Sequence, residues 1–565
     1  METLDWLVIG IFFLALIGII VWVVKQKQND SADYFLGGRD ATWLAIGASI
    51  FASNIGSEHL IGLAGAGASS GMAMAHWEIQ GWMILILGWV FVPFYSRSMV
   101  FTMPEFLERR YNPQSRTILS VISLISYVLT KVAVTVYAGG LVFQQVFGIK
   151  ELWGIDFFWI AAIGLVILTA LYTIFGGMKS VLYTSILQTP ILLLGSLIIL
   201  VLGFKELGGW DEMMRICGAV TVNDYGNTMT ELIRSNNDPN FPWLGALIGS
   251  AIIGFWYWCT DQHIVQRVLG QTKGEDNGKV MARARRGTIA AGYFKLLPVF
   301  MFLIPGMVAF ALSQKAGSGI VMDITNTHDT DGAFAMMVKN ILPAGIKGIV
   351  TIGFICALVA SLAAFFNSCA TLFTEDFYKP MKKGMSESHY VLIGRIATVV
   401  VVLLGLAWMP IMMNMGNLYS YLQDIQSLIA LAMVAVFTLG IFSKRITPKA
   451  GEWGLIGGFL IGMVRLLTNV ITDSGKAVMD GAFWEYTSWF WQTNWLIFEV
   501  WLLVFIIILM YIVSMFTAKP SAEQIAAITF TGDYKKTIRE SWNVWDVIAS
   551  LGVIVLCALF YAYFW

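Results

Sequence analysis

The sequence predicts an all-α integral membrane protein with about fourteen transmembrane helices, and three observations indicate this class. First, 57% of the 565 residues are hydrophobic and only 13% are charged, with a mean hydropathy of +0.71, whereas a soluble domain carries about 25% charged residues. Second, apolar segments of roughly 20 residues, the length that crosses a bilayer as a helix, recur along the chain. Third, Lys and Arg residues are concentrated in alternate connecting loops.

The candidate spans follow one another along the whole chain. The first has no basic leader and no small-residue cleavage site, so we expect a retained helix rather than a cleaved signal. The second and ninth are longer than a straight crossing needs, which is typical of tilted or broken helices. The fourteen predicted spans are 5–24, 42–71, 74–101, 117–147, 155–174, 180–203, 241–269, 286–314, 346–378, 389–411, 417–442, 452–471, 493–517 and 543–565.

Basic residues orient these spans. Seven alternate loops carry groups of Lys and Arg, for example at 109–116 and 273–286, whereas the short loops at 72–73 and 412–416 carry none. Because cytoplasmic loops are enriched in Lys and Arg, the seven basic loops are predicted to lie inside. Both termini are then predicted on the extracellular or periplasmic side of the plasma (inner) membrane.

Polar residues interrupt two of the spans. Span two contains Phe-Ala-Ser-Asn-Ile-Gly-Ser-Glu-His at 51–59, and span seven contains Gly-Phe-Trp-Tyr-Trp-Cys-Thr-Asp at 254–261. The two spans are five apart and enter the bilayer from opposite faces, which is the sequence pattern of transporters built from inverted repeats. The predicted divisions are a first helix and inner loop at 1–41, a first five-helix repeat at 42–204, an extracellular loop at 205–240, a second five-helix repeat at 241–443, and three C-terminal helices at 444–565.

Polar side chains at membrane depth are the candidate functional residues, because ionisable groups there are costly and usually face a cavity or pathway. Carboxylate, ammonium, amide and imidazole groups among Trp and Tyr residues suit a polyhydroxyl ligand. Its hydroxyls need both donors and acceptors, and its apolar face packs on flat rings. The candidates are Asn54, His59, Glu78, Lys295, Tyr419 and Gln423, the last two on one helical face.

Structural interpretations of the same residues stay open at this point. Glu78 and Lys295 could pair only to neutralise their burial, and His59 could be a satisfied residue of the helix break. Asn54 could cap the broken helix, and Gln423 could form an interhelical hydrogen bond.

Other polar residues are interpreted as structural. Glu58 is expected to be structural or to face a loop rather than to bind ligand, and Asp261 is expected to form an ion pair with Arg267. The five cysteines are scattered, so they indicate neither a metal site nor a disulfide framework.

The break in span two is also a candidate sodium site, because hard cations take oxygen ligands. The break frees the carbonyls of Ala52 and Ile55, and Ser361 on a facing helix supplies a hydroxyl.

Seven motifs in spans two to eleven resemble the sodium/solute symporter family, in its sodium–glucose cotransporter branch, which includes glucose/galactose and myo-inositol cotransporters. The resemblance implies a leucine-transporter-type five-plus-five inverted repeat with alternating access. The motifs are FASNIGSEHLIGLAGAG (51–67), GWVFVPFY (88–95), TMPEFLERRY (102–111), ALYTIFGGMKSVLYT (170–184), WYWCTDQHIVQRVL (256–269), KLLPVFMFLIPGM (295–307) and FFNSCATLFTEDFY (365–378).

The resemblance also implies roles for individual residues. Sugar contacts fall on Asn54, His59, Glu78, Lys295 and Gln423, and aromatic stacking and the inner gate on Trp258 and Tyr257. Outer-gate residues fall on Leu63, Trp77 and Tyr419, and an aromatic near the pocket on Tyr127. Sodium ligands fall on the carbonyls of Ala52, Ile55 and Ala357 and on the side chain of Ser361.

The chain departs from the family pattern at several positions. Ala360 stands where the family usually has the first of two adjacent serines, which removes one oxygen from the sodium site. Ser185 and Ala364 replace polar family residues and argue against a second sodium site. Gly254 replaces a polar residue that touches sugar in relatives.

These observations predict sodium-coupled symport of a hexose or cyclic polyol, with one sodium per solute and no organic cofactor. No nucleophile–base pair or metal cluster indicates an enzyme, and a formal net charge of zero gives no reason to expect a nucleic-acid partner. The alternatives are a sodium-independent or proton-coupled sugar carrier, favoured by Ala360, and a sugar-binding sensor without net transport.

Overall fold

The structure is a computed structural model, and it describes most of the chain. The described residues are 2–25, 42–56, 58–98, 100, 102–269, 277–323, 330–412, 418–471, 485, 487–526, 528 and 532–565.

Helices make up most of the described structure, and its two named strands form a short antiparallel hairpin of β1 (Glu151–Leu152) and β2 (Ile155–Asp156). The α-helices are α1 Thr3–Lys25, α2 Trp43–Asn54, α3 Ala64–Ser69, α4 Gly81–Ile86, α5 Val92–Ser98, α6 Met103–Arg110, α7 Pro113–Ser126, α8 Ala133–Phe147, α9 Phe157–Leu207, α10 Trp210–Gly218, α11 Trp243–Phe255, α12 Gln262–Leu269, α13 Asn277–Phe294, α14 Ile304–Ser313, α15 Ala333–Ile341, α16 Ile346–Thr371, α17 Lys379–Met381, α18 Glu387–Met412, α19 Leu418–Phe442, α20 Pro448–Ile471, α21 Ser488–Gln492, α22 Trp495–Phe516, α23 Ala522–Ala526, α24 Gly532–Glu540 and α25 Val544–Tyr563. Wider π-helical turns at Glu58–Leu63, Leu87–Phe91, Tyr127–Val132, Trp256–Thr260, Val299–Leu303 and Leu372–Tyr378, and a 3₁₀ segment at Gly71–Trp77, join several of them.

The prediction of an all-helical membrane protein with many spans is confirmed. Within the described residues, nine helices are long and apolar enough to cross a membrane, and a bent pair, Leu193–Leu207 with Trp210–Gly218, makes a tenth. Four shorter apolar helices complete fourteen segments, and each coincides with a predicted span. The shorter ones are Thr3–Ile19, Trp43–Asn54, Phe157–Leu171 and Gln426–Phe442.

The main difference from the sequence prediction lies between spans five and six. Instead of two helices joined by an inner loop near 179, the backbone forms the single helix α9 of 51 residues. At 1.5 Å per residue it is about 77 Å long, far more than the ~30 Å hydrocarbon layer. Gly176, Gly177 and Pro190 lower helix propensity there, but the two glycines keep their amides as donors, so the backbone continues as a helix.

Both predicted interruptions are present. In span two, α2 ends at Asn54, where Ile55 takes an extended conformation (φ −76°, ψ 108°), and a π-helical turn follows from Glu58. In span seven, the π-helical turn ends at Thr260, and Asp261 is extended (φ −74°, ψ 130°) before α12 begins. Non-helical backbone at membrane depth is tolerated only where protein or a polar cavity satisfies it.

Helix α16 lies at the centre of the bundle and packs against α9, α1 and α2, while α2 also packs along α13. The N-terminus of α16 is capped by a residue of α1, 340 positions earlier in the chain. The carboxylate of Asp5 in α1 accepts hydrogen bonds from the amides of Gly345 (2.7 Å) and Gly348 (2.9 Å). This cap satisfies donors that a helix N-terminus leaves unpaired. As a result α16 presents its middle to the break in α2.

Candidate functional site

A cavity lies beside the break in span two and contains about 690 Å³ of space between atoms. The cavity lies inside the bundle, and polar and aromatic side chains share its wall. The sequence-predicted residues that line it are Asn54, His59, Leu63, Trp77, Glu78, Tyr257, Trp258 and Lys295.

An ion pair with two polar partners forms one side of the cavity. Nζ of Lys295 donates to Oε2 of Glu78 (2.6 Å) and to Oδ1 of Asn54 (3.2 Å). Nε2 of His59 lies 3.4 Å from the same Glu78 oxygen. All four side chains are 3–5% exposed. The charges of Lys295 and Glu78 therefore balance each other while their remaining hydrogen-bonding capacity faces the cavity.

The local fold explains how the break positions two of these groups. Asn54 is the last residue of α2 and His59 lies in the first turn after the break. The amide of Gly56, which no longer continues the helix, donates to Nδ1 of His59 (3.4 Å). Because an imidazole nitrogen that accepts a hydrogen bond carries no hydrogen, Nδ1 of His59 is held by Gly56 and the ring turns Nε2 towards Glu78.

Aromatic rings form the adjoining wall. The rings of Tyr257 and Trp258 meet edge to face, with centroids 4.9 Å apart, and Nδ2 of Asn54 donates to the hydroxyl of Tyr257 (3.0 Å). The ammonium of Lys295 lies 5.4 Å from the centroid of the Trp258 ring. This arrangement offers a flat apolar face next to charged donors and acceptors.

The remaining predicted gate residues are placed differently. Leu63 and Trp77 line the cavity, and the ring of Trp77 stacks on Trp495 (5.8 Å between centroids). Tyr127 lies behind the cavity, where its hydroxyl donates to Asp261. The side chains of Tyr419 and Gln423 lie outside the described residues, so their predicted roles stay predictions.

The prediction that Asp261 pairs with Arg267 is wrong. Asp261 forms its ion pair with Lys131 (Oδ2 to Nζ, 2.5 Å) and lies 3.0 Å from Nδ1 of His263. The extended backbone at Asp261 ends the helical turn, so its side chain meets span four rather than Arg267, which is farther along its own helix.

One of the predicted sodium ligands, Ser361, lies next to the break. Oγ of Ser361 is fully buried and has no hydrogen-bond partner among the described residues. It faces the break closely, since a Cβ added to Gly56 would lie 2.8 Å from it. Ala357 is one turn earlier on α16, and the carbonyl of Ala52 does not meet its usual helical donor, because the Gly56 amide donates to His59 instead. Buried hydroxyl and carbonyl oxygens without partners fit a hard cation.

Four further polar residues of the cavity wall, Gln80, Thr130, Lys131 and Gln426, were not predicted, and Glu58, which was not expected to face the solute, also lines it. The signal for Lys131 was present, because an intramembrane lysine in span four is itself a functional candidate. Gln80 occupies the space that a side chain at residue 254 would need, since a Cβ on Gly254 would lie 2.8 Å from its amide carbon. The sequence carries no pattern that joins these two positions.

The chain is similar to known transport proteins in both sequence and fold. Residues 34–458 match the model of the sodium:solute symporter family. The chain is similar to sodium/glucose cotransporter 1 of Ovis aries (36% identity over 499 residues, 84% of this chain and 73% of the relative). It is also similar to the sodium/myo-inositol cotransporter of Homo sapiens (32% over 580 residues, 96% and 77%). Among solved structures, a substrate-bound, outward-open Na⁺-coupled sialic acid symporter has the same fold, with a TM-score of 0.71, 19% identity, and coverage of 92% of this chain and 99% of that one.

Proposed function

Because the chain belongs to the sodium:solute symporter family, it is a multi-pass membrane protein that couples solute transport to sodium and is not an enzyme, and we propose that its solute is a hexose or a cyclic polyol. The sugar and inositol cotransporters among its relatives support this choice of solute class.

The observation that carries the proposal is the composition of the cavity wall. A polyhydroxyl solute presents several hydroxyls that both donate and accept, and an apolar face of C–H groups. Glu78 supplies an acceptor and Lys295 supplies donors. Asn54 supplies one of each: its Oδ1 lies 3.2 Å from Nζ of Lys295, and its Nδ2 lies 3.0 Å from the Tyr257 hydroxyl. The Trp258 ring supplies the flat face. A single-charge solute would leave one member of the Lys295–Glu78 pair uncompensated, which a buried site penalises.

The break in span two joins the solute site to the proposed sodium site. Residues 55–58 separate Asn54 from His59, and one of them, Gly56, faces the hydroxyl of Ser361. An ion held by the carbonyls of Ala52, Ile55 and Ala357 and by Ser361 would fix the geometry of the break and therefore the positions of both solute-binding side chains. Solute and sodium then strengthen each other's binding to the same degree, because coupling free energy is reciprocal.

Transport follows from closing the cavity on one side and opening it on the other. Leu63 and Trp77 lie on the outer-gate side in this proposal, with Tyr419 as their predicted partner, and Tyr257 forms the inner closure. We propose one sodium per solute, since Ser185 and Ala364 replace polar residues of the family pattern. Each sodium that crosses the full potential contributes about 2.3 kcal/mol per 100 mV. Both termini lie outside in this orientation.

The test is uptake of labelled glucose, galactose and myo-inositol into proteoliposomes, with an inward sodium gradient or with potassium in its place. We expect sodium-dependent uptake of one of the three, lost in a Glu78→Gln variant and retained in a matched Glu540→Gln variant at the exposed end of α24. Sodium-dependent uptake of none of these solutes, or competition by an anionic or cationic solute alone, would contradict the proposed solute class.

A further inference from the structure

A second void adjoins the cavity, because Lys131 lines the cavity and its partner Asp261 lines the void. It contains about 270 Å³ between atoms and is lined by Ser126, Tyr127, Trp256 and Asp261, together with Met103 and Pro104 of α6. Helix α6 ends in Arg109 and Arg110, which belong to one of the seven predicted inside loops. The void therefore lies towards the cytoplasm in the predicted orientation. Oγ of Ser126, fully buried, has no hydrogen-bond partner among the described residues, so the void offers a hydroxyl to water or solute.

One ion pair separates the cavity from this void. Lys131 lines the cavity, Asp261 lines the void, and Nζ of Lys131 lies 2.5 Å from Oδ2 of Asp261. The two residues are only 3% and 2% exposed. Tyr127 donates to Asp261 from the void side, and the ring of Tyr257 covers Lys131 from the cavity side, 4.8 Å from Nζ. We call Tyr127, Lys131, Tyr257 and Asp261 the inner partition.

The inner partition is connected to the solute-binding groups through one hydroxyl. The Tyr257 hydroxyl accepts from Asn54 (3.0 Å) and lies 3.3 Å from Nε2 of His263. Nδ1 of His263 is in turn 3.0 Å from Nζ of Lys131. A movement of Asn54 or of the Tyr257 ring therefore changes the surroundings of the ion pair.

Separating the two charges of the ion pair is energetically unfavourable, so the pair is suited to hold a gate closed. Two charges at the centre of the protein are stable only together, and leaving either one alone in a buried site is strongly unfavourable. Three further rings, those of Tyr127, Trp256 and Phe365, lie 5.0–5.2 Å from the ammonium and stabilise it where it is. Separating Lys131 from Asp261 therefore requires a concerted rearrangement, not a fluctuation of one side chain.

We propose that the Lys131–Asp261 ion pair holds the inner gate closed, and that solute and sodium leave the cavity past Tyr257 through the void once this pair separates. Lys131 and Asp261 are positioning residues in this inference, because they act on Tyr257 rather than on the solute. The inference rests on the proposed function for its direction of release, whereas the closing role of the pair does not depend on which solute is carried.

The test measures access to the cavity from the cytoplasmic face. Val134 lines the cavity one helical turn outward of Lys131, so a Val134→Cys reporter can be reached from inside only across the inner partition. The five native cysteines, all buried, are replaced by alanine in the reporter chain. A membrane-impermeant methanethiosulfonate reagent is then added to inside-out or right-side-out vesicles, and the labelling rate is measured without any solute.

The decisive variant carries Lys131→Met with Asp261→Asn, which leaves no unpaired charge. We expect its labelling from the inside to accelerate at least about tenfold, which corresponds to about 1.4 kcal/mol, while labelling from the outside does not accelerate. The matched control, Arg286→Met with Asp546→Asn, removes a 2.9 Å pair between α13 and α25 and is expected to label at the unmodified rate. A general loosening of the fold would instead accelerate labelling from both sides.

Tyr127→Phe provides a milder version of the same test, because it removes only the hydroxyl that donates to Asp261. A smaller acceleration from the inside is expected. Unchanged inside labelling in both variants, or equal acceleration from both sides, would overturn the closing role of the pair. Absence of sugar transport in the unmodified protein would count against the proposed function but leave the labelling result valid.

Discussion

Removing the hydroxyl of Ser361 is expected to have opposite effects with and without sodium. This hydroxyl is buried in α16, faces Gly56 at the break and has no hydrogen-bond partner among the described residues. A buried, unsatisfied polar group costs about 1–3 kcal/mol. Ser361→Ala should therefore stabilise the sodium-free protein by about 1 kcal/mol, even though it changes a proposed binding site.

Sodium should reverse the comparison. At a concentration 100 times its dissociation constant, a bound ion stabilises the folded state by about 2.7 kcal/mol. Loss of one of four proposed ligands, taken as a tenfold weaker affinity, lowers this contribution by about 1.4 kcal/mol. Roughly half of the sodium-induced stabilisation should disappear in the variant.

The assay is thermal unfolding in detergent across a sodium titration, with potassium holding ionic strength constant. Ser49→Ala is the matched control, because the Ser49 hydroxyl is also buried without a partner among the described residues but is not a proposed ligand. The control should gain stability equally at every sodium concentration. A Ser361→Ala protein that is less stable without sodium, yet keeps the full sodium response, would refute the site.

Three further predictions follow from named side chains. Ala360→Ser should tighten sodium binding roughly fivefold, since a hydroxyl next to Ser361 contributes about 1 kcal/mol; an unchanged sodium titration would count against a ligand role for this position. Lys295→Met should weaken solute binding at least thirtyfold, about 2 kcal/mol, because it leaves Glu78 buried without its cation, and isothermal titration with the solute measures it; retained affinity would mean that the pair only neutralises its own burial. Burial raises the pKa of the Asp331 carboxyl to about 7, so the unfolded chain ionises first and stability should fall as the pH rises from about 4 to about 7. Asp331→Asn should remove that fall in thermal unfolding scans, and an identical pH dependence in the variant would contradict it.

The sequence predicts the membrane-spanning segments well because lipid imposes a simple length and composition on each of them. Their breaks are visible for the same reason, since Ser53, Asn54 and Gly56 stand out in an apolar run. The continuous helix α9 was missed because the segment around Lys179 was assigned to an inside loop, and a lysine does not prevent backbone hydrogen bonding.

The site was predicted in part. Asn54, His59, Glu78 and Lys295 are recognisable singly as polar residues at membrane depth, and the structure brings them together. The partner of Asp261 was not predictable from spacing, since Lys131 lies 130 positions earlier and the nearer Arg267 offered an ordinary helical pairing. Which charges meet across a bundle is decided by helix packing, and a single sequence does not encode that locally.

The central claim, sodium-driven transport of a sugar or cyclic polyol, is tested most directly by concentrative uptake. Proteoliposomes loaded with potassium are diluted into sodium with the solute that gives uptake, and its internal concentration is followed until it stops changing. The account predicts a rise above the external concentration and a return to equality when a sodium ionophore dissipates the gradient. Uptake that stops at equal concentrations with the gradient intact would contradict it.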